Sequence, residues 1–150
     1  MPSLEKQLEF LDETPEDQVK TAVLLVGHGS RAQNANDALF RVVEHFQKAW
    51  PHRILKAAFL EISHPSIPEG IDLCVVEGSE RIIVIPYFLF RGNHVAVDLP
   101  VFIKEGRRRY PDIDVILGPH LGFHPKMIEI VDERIQQVLD TLKFEENALP

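Results

Sequence analysis

The sequence has little cysteine, no long apolar run and no excess of basic charge. Its 150 residues include one cysteine, Cys74, which excludes an intrachain disulfide and a cysteine-rich zinc site. Lysine and arginine together number 16 against 23 for aspartate and glutamate, so the formal net charge is −7. Because nucleic-acid binding needs a basic face, we expect no nucleic-acid partner.

Membrane and export signals are also lacking. No segment approaches about 18 continuous apolar residues, and the first residues, MPSLEKQLEF, have no apolar stretch of the signal-peptide kind. We therefore expect no membrane partner and a cytoplasmic location. Cys74 lies in the apolar stretch 71–76, which favours a buried small side chain over a reactive thiol. The basic run 107–109 fits a solvated helix end, and a patch facing an acidic ligand stays open as the alternative.

Apolar runs and amphipathic stretches alternate four times along the chain. Strands are predicted at four largely apolar segments, 21–26, 54–60, 81–85 and 113–117. The first is a continuous apolar run, as expected for a strand covered on both faces. Helices are predicted by apolar residues at three- and four-residue spacing from 35 to before Pro51, at 65–76, at 95–109 and at 124–142. Pro100 is expected in the first turns of the third helix, where its missing N–H is tolerated. This alternation predicts one α/β domain with a four-stranded parallel sheet and helices on both faces.

The predicted domain covers residues 21–143. Residues 1–20 form an N-terminal extension with a short helix at 3–12, indicated by leucines at helical spacing, and residues 144–150 form a C-terminal tail.

The loops that follow the four strands carry most of the histidines. Parallel sheets bind ligands at the carboxyl ends of their strands, in the crevice where the strand order reverses. Five of the seven histidines fall in these loops: His28, His64, His94, His120 and His124. Glu61 reaches the same edge. Histidine and carboxylate side chains on one rim predict an open site for a borderline divalent metal such as Fe²⁺, Co²⁺, Ni²⁺ or Zn²⁺.

Three of these residues are favoured as functional. His28 stands between two glycines, His94 follows the third strand, and Glu61 ends an apolar strand, where an unpaired carboxylate would be costly. Asp98, four residues after His94, either orients that imidazole or simply favours a helix N-terminus. The remaining rim histidines are interpreted as helix starts or loop structure: His64, His120 and His124.

The surroundings of these residues suit a wide, flat ligand. Gly27 and Gly29 let the backbone approach a bulky group, and the segment 87–90 offers aromatic and apolar surface beside His94. Arg31 or Arg91 could meet carboxylates on the edges of such a ligand.

Four segments together resemble the small class II chelatases of tetrapyrrole biosynthesis, the CbiX/SirB family. They are LLVGHGSR (24–31), AFLE (58–61), IPYFLFRGNHVAVDLP (85–100) and GPHLGFHP (118–125). The resemblance covers residues 22–138 and implies a chelatase-like α/β fold. It implies insertion of Co²⁺ or Fe²⁺ into sirohydrochlorin, with Ni²⁺ used by some relatives, and no organic cofactor. Longer relatives join two such units, so the resemblance also implies a homodimer.

The same resemblance implies residue roles. His28 and His94 are expected as catalytic residues and metal ligands, and Glu61 as the catalytic acid or base beside them. We expect the tetrapyrrole to contact residues around them: Ser30, Arg31, Phe88, Leu89, Arg91 and Gly92. Two other functions stay open, a non-catalytic metal or tetrapyrrole carrier and a phosphoryl-transfer histidine loop. The second usually needs an arginine directly before the histidine, where this chain has Gly27.

Overall fold

The computed structural model describes residues 19–90 and 92–147, except for the side chains of His94 and of residues 145–147. The expected N-terminal helix and Arg91 lie outside the described residues, and the division of the chain into three segments stays a prediction. Four strands alternate with four helices: β1 (Thr21–Gly27), α1 (Gln33–Ala49), β2 (Ile54–Phe59), α2 (Ile67–Val76), β3 (Arg81–Pro86), α3 (Asn93–Arg109), β4 (Asp114–Leu117) and α4 (Pro125–Asn147).

The strands form one parallel sheet in the order β2-β1-β3-β4, which confirms the predicted fold. β1 pairs with β2 on one side and with β3 on the other, so the direction of winding reverses between β1 and β3. In an open parallel sheet this reversal leaves a crevice beyond the carboxyl ends of the two strands. The loops after β1 and β3 therefore border the expected ligand site.

The main core lies between one face of the sheet and the helices α2 and α3. Leu24 and Val84 of the sheet are fully buried there, together with Ile71 of α2 and Leu99 of α3. Each such side chain contributes about 1.5–3 kcal/mol on removal from water. α2 approaches the sheet closely at Gly70, where an added Cβ would lie 2.8 Å from Ala58 Cβ.

Pro100 lies deeper in its helix than expected. α3 begins at Asn93, so Pro100 is its eighth residue and lies in the helix interior, beyond the first turn. The Ala96 carbonyl therefore lacks its usual N–H partner from four residues on. The helix continues to Arg109 because Leu99 and Ile103, on either side of the proline, are both packed into the core.

The basic run at the end of α3 serves the fold. Arg107 Nε donates to the Val115 carbonyl at 2.7 Å, and Arg109 pairs with Asp72 of α2 at 2.5 Å. Arg108 pairs with Glu105 one turn earlier at 2.6 Å. These contacts agree with the expected helix end.

The opposite face of the sheet is covered by α1 only in part. An apolar groove of about 370 Å³ remains beside α1, and we refer to it as the sheet groove. Its lining includes Val23, Leu25, Ile83 and Ile85 of the sheet and Val43 and Phe46 of α1.

α4 carries an apolar stripe that the described residues leave uncovered. The stripe predicted from the sequence comprises Ile128, Val131, Ile135, Val138 and Leu142, and each of these side chains is at least half exposed. Among the described residues, no helix combines the length and apolar character needed to span a bilayer.

Candidate functional site

His28 stands at the crevice between β1 and β3, directly after the last residue of β1. Its imidazole stacks on the ring of Phe88, with the ring centroids 4.2 Å apart and the planes inclined by 29°. His28 is exposed, whereas Phe88 is only 4% exposed and belongs to the main core. The core therefore supports one face of the imidazole and leaves the rest of the residue open to the crevice.

The burial of Phe88 differs from the exposed wall expected for residues 87–90. The chain stays extended after β3, because the Tyr87 N–H donates to the Val26 carbonyl at 2.7 Å and continues the pairing with β1. Side chains of an extended chain alternate in direction. Tyr87 and Leu89 consequently face outward, at 40% and 45% exposed, while Phe88 points into the core. Phe90 is 83% exposed and adds to the outward apolar surface.

Glu61 lies beside the His28 loop at the same edge of the sheet. The β1–β2 pairing continues past both strands, because the Leu60 N–H donates to the Gly27 carbonyl at 2.9 Å and the Glu61 N–H to the His28 carbonyl at 3.1 Å. Glu61 itself is exposed, since β2 ends at Phe59 and the chain has reached the rim. The expected cost of a buried carboxylate therefore does not arise, and the case for Glu61 depends on its position.

Gly29 allows the two loops to come this close. Its φ is +92°, and a Cβ at this position would lie 1.8 Å from the Glu61 carbonyl oxygen. Only glycine combines that backbone conformation with that contact. The next residue, Ser30, is half-buried and held by hydrogen bonds, whereas Arg31 is exposed at the rim.

The loop after β3 brings His94 to the same edge. Gly92 is the exposed N-cap residue of α3, and His94 is the second residue of that helix. Asp98 follows one turn later and is half-buried, so the sequence alternatives for it stay open. Among the side chains that the structure describes, no three histidine, cysteine or acidic groups cluster as a complete metal site.

The other rim histidines make local contacts. His64 Nδ1 lies 2.8 Å from Glu69 Oε2, and Glu69 also closes the capping box of α2 with Ser66. The hydrogen bond with His64 is the main reason that the pKa of Glu69 is lowered to about 2. His124 Nδ1 accepts the Lys126 N–H at 3.2 Å, at the start of α4.

His120 belongs to the loop after β4. An added Cβ on Gly122 would lie 3.2 Å from His120 Nε2, so the imidazole folds back onto its own loop. Leu121 and Phe123 of this loop are exposed, at 37% and 86%. The Gly122 N–H donates to the Phe88 carbonyl at 3.4 Å, which brings this loop next to the 87–90 segment. Leu121 and Phe123 therefore add apolar surface beside the exposed side chains of that segment.

Two residues outside the predicted site, Asn36 and Ser63, hold the His28 and Glu61 loops together. Asn36 in α1 is 6% exposed and hydrogen-bonds to Ser30 and to Ser63. A signal for Asn36 exists in the sequence, because it precedes Leu39 by three positions and Val43 by seven, on the apolar side of α1. No comparable periodicity marks Ser63, which lies in an irregular loop.

An open, parallel α/β sheet with an exposed imidazole at its switch point, and a carboxylate on the neighbouring loop, is typical of ligand-binding proteins of the doubly wound class. Within that class the chain belongs to the CbiX family, whose family model matches residues 22–138. It is 34% identical to the sirohydrochlorin cobaltochelatase of Priestia megaterium over 81% of this chain and 40% of the relative. It is 32% identical to the chloroplastic sirohydrochlorin ferrochelatase of Arabidopsis thaliana, over 78% of this chain and 52% of the relative.

A solved structure agrees with these relatives. The sirohydrochlorin chelatase SirB from Bacillus subtilis subspecies spizizenii, in complex with cobalt, superposes with a TM-score of 0.73 at 30% identity, over 79% of this chain and 51% of that one. The chain thus spans about half the length of the curated relatives named above. Sirohydrochlorin cobaltochelatases from Methanothermobacter, Methanopyrus and Methanococcoides species are matched over 96% to 100% of their own length.

Proposed function

We propose that this chain is a metallochelatase that inserts Co²⁺ or Fe²⁺ into sirohydrochlorin. The observation that carries the proposal is the exposed His28 imidazole, supported by Phe88 at the crevice between β1 and β3, beside the Glu61 loop. The relatives named for cobalt and for iron insertion support both metals as substrates. Ni²⁺ insertion, the cytoplasmic location and the lack of nucleic-acid and membrane partners stay predictions.

Metal insertion requires a site that binds the ion and then releases it. His28 presents an imidazole, a ligand that suits borderline divalent ions such as Co²⁺ and Fe²⁺. His94 is proposed as the second ligand, because the start of α3 brings its backbone to the same edge of the sheet. Two imidazoles leave coordination positions for water and for the ring nitrogens of the incoming substrate. The metal is thus bound as a substrate in transit.

The two protons on the ring nitrogens must leave as the metal enters. We assign this proton transfer, or the steering of the ion, to Glu61, because its loop runs alongside the His28 loop and its carboxylate is exposed at the rim. A positioned carboxylate of this kind contributes about 10²–10⁴-fold to proton transfer. Glu61 is therefore a catalytic residue in the proposed mechanism, together with His28 and His94.

The macrocycle is proposed to lie on the apolar rim surface. Leu89, Phe90 and Phe123 are all exposed there, and flat rings stack readily on aromatic side chains. Arg31 is exposed after the His28 loop and is proposed to pair with a carboxylate on the edge of the substrate. Gly92, exposed at the start of α3, leaves room for the ring, since among the described residues that are not its chain neighbours none comes within 4 Å of a Cβ placed there.

The test is anaerobic insertion into sirohydrochlorin, followed by the change in its absorbance, with Co²⁺, Fe²⁺ and Ni²⁺ supplied in turn. The wild-type chain should accelerate Co²⁺ or Fe²⁺ insertion over the protein-free rate, and His28→Ala should lose most of that acceleration. His45→Ala is the matched control, because His45 is an exposed histidine within α1. Tight binding of metal and ring without acceleration would contradict the proposal and favour a carrier.

A homodimer is the second part of the proposal. α4 presents an apolar stripe that the described residues leave uncovered, and the same chain has an apolar groove on its sheet. The longer relatives are about twice the length of the matched unit, which supports two such units per functional molecule. We propose that α4 of each copy covers the sheet groove of the other.

Light scattering during size-exclusion chromatography tests this association. The wild-type chain should elute with twice the mass of one copy, and Ile135→Glu in the stripe should shift it to the mass of one. Gln137→Glu adds the same charge about 200° around the helix from Ile135 and should stay dimeric. A wild-type chain that is monomeric at micromolar concentration would contradict the dimer without affecting the proposed chemistry.

A further inference from the structure

Asn36 is a buried polar side chain in a helix, where it is intrinsically unfavourable. It lies in α1 and is 6% exposed, and asparagine costs several tenths of a kcal/mol relative to alanine in a helix interior. Burial of an amide is tolerated only when its donors and acceptor are satisfied. The partners that satisfy Asn36 therefore indicate why it is there.

The Asn36 amide binds both backbone groups of Ser30. Its Oδ1 accepts the Ser30 N–H at 3.0 Å, and its Nδ2 donates to the Ser30 carbonyl at 2.8 Å. The second Nδ2 hydrogen reaches Ser63 Oγ at 2.9 Å, and Ser63 Oγ in turn donates to the Ser30 carbonyl at 3.0 Å. The amide thus pairs with Ser30 as the peptide group of a neighbouring strand would, at a point where the β1–β2 pairing has ended.

The loop that contains Ser63 is strained. Ile62 has a φ of +69°, which is rare for a β-branched residue, and the Ser63 N–H closes a three-residue turn onto the Glu61 carbonyl at 2.7 Å. Such a conformation costs about 1–3 kcal/mol and persists only where the surrounding structure holds it. Ile62 is 60% exposed, so its own side chain supplies little packing to hold the turn.

We infer that Asn36 is a positioning residue, which acts through Ser63 to hold the strained turn and so fixes Glu61 relative to His28. Ser30 is two residues after His28, and Ser63 is two residues after Glu61, so the Asn36 network ties together the two loops that carry these groups. His28 keeps its separate support from Phe88. Loss of Asn36 should therefore displace Glu61 more than His28. This inference rests on the proposed function.

The experiment compares Asn36→Ala with Asn34→Ala, which removes an exposed asparagine from the same turn of α1. A 1 Å misplacement of a catalytic group costs up to about 100-fold in rate, so Asn36→Ala should lower kcat for Co²⁺ insertion by at least about 10-fold. The KM for sirohydrochlorin and the affinity for Co²⁺ alone should stay within about 3-fold. Asn36→Asp keeps the acceptor for Ser30 but loses both donors, and it should not restore kcat.

A double-mutant cycle that combines Asn36→Ala with Glu61→Gln distinguishes a loss of Glu61 positioning from a general loss of structure. If Asn36 acts through Glu61, Asn36→Ala should lower kcat less than about 3-fold in the Glu61→Gln background. Equal losses in both backgrounds, or a loss in Asn34→Ala as large as in Asn36→Ala, would overturn the inference. Should Asn36→Ala fail to fold, Ser63→Ala takes its place in the cycle with the same expected pattern.

A failure of the Asn36 inference can also be distinguished from a failure of the proposed chelatase function. A wild-type chain that inserts neither metal overturns the proposed function, and amide hydrogen exchange at Glu61 and Ser63 then decides the inference. Faster exchange in Asn36→Ala than in Asn34→Ala supports it, and equal rates overturn it.

Discussion

Replacement of Gly29 by alanine should destabilise the protein and abolish metal insertion together. The added methyl group would lie 1.8 Å from the Glu61 carbonyl oxygen, more than 1 Å inside the 3.0 Å approach that Cβ atoms respect. The loops must then separate, which breaks the 3.1 Å hydrogen bond from the Glu61 N–H to the His28 carbonyl. Both consequences arise at the point where the proposed ligand and the proposed acid or base are held together.

The size of the effect follows from two contributions. An alanine at a φ of +92° costs about 1–2 kcal/mol, and each hydrogen bond lost between the loops costs about 1 kcal/mol more. With one to two bonds lost, the free energy of unfolding should fall by about 2–4 kcal/mol. For a chain of 150 residues this corresponds to a Tm lower by roughly 10 °C.

Thermal and urea unfolding followed by circular dichroism measure the loss, and the sirohydrochlorin assay measures activity. Gly92→Ala is the matched control for stability, because Gly92 has a φ of −65° and open space around it. Its free energy of unfolding should change by less than about 1 kcal/mol. A Gly29→Ala protein with wild-type Tm and wild-type insertion rate would refute the reasoning.

Two further predictions concern titratable groups away from the crevice. The folded-state pKa of Glu69 is lowered to about 2, so its contribution to stability is present above pH 4.5 and is lost as the pH falls toward 2. A carboxyl ¹³C titration by NMR should show that midpoint, and His64→Ala should raise it; an unchanged midpoint would contradict the assigned cause. Burial raises the pKa of Cys74 to about 12. A thiol reagent at pH 8 should therefore label Cys74 only after unfolding, and rapid labelling of the folded chain would contradict its burial.

The sheet could be predicted because its central strand β1 is largely buried on both faces. The run TAVLLV has no polar residue except its first, and a β-strand between two helix layers needs that composition. The predicted positions of the loops followed from parallel pairing alone, which brings residues after β1, β2 and β3 to one edge. Strand boundaries agreed to within one residue, since glycine, proline or polar residues flank each run.

Other features depend on tertiary contacts that no local pattern encodes. In the sequence Phe88 is one of several apolar residues in a row. The side chain of Phe88 points into the core because Tyr87 continues the strand pairing with Val26. The apolar spacing predicts a helix start at residue 95, two residues after the observed start at Asn93, and so it predicts too early a position in the helix for Pro100. The Ile62 turn runs against the intrinsic preference of a β-branched residue, so sequence propensity gives no sign of it.

If His28 binds the metal as proposed, its stack on Phe88 also determines when the entropic cost of metal binding arises. An unrestrained side chain that becomes fixed on binding loses about 0.5–1.5 kcal/mol in rotamer freedom. Because Phe88 is anchored among core residues, the imidazole loses part of that freedom when the chain folds, before any ion arrives. The proposed site would thereby have an affinity for the ion that depends on the packing of the hydrophobic interior, so a substitution that loosens Phe88 should weaken metal binding without altering a proposed ligand.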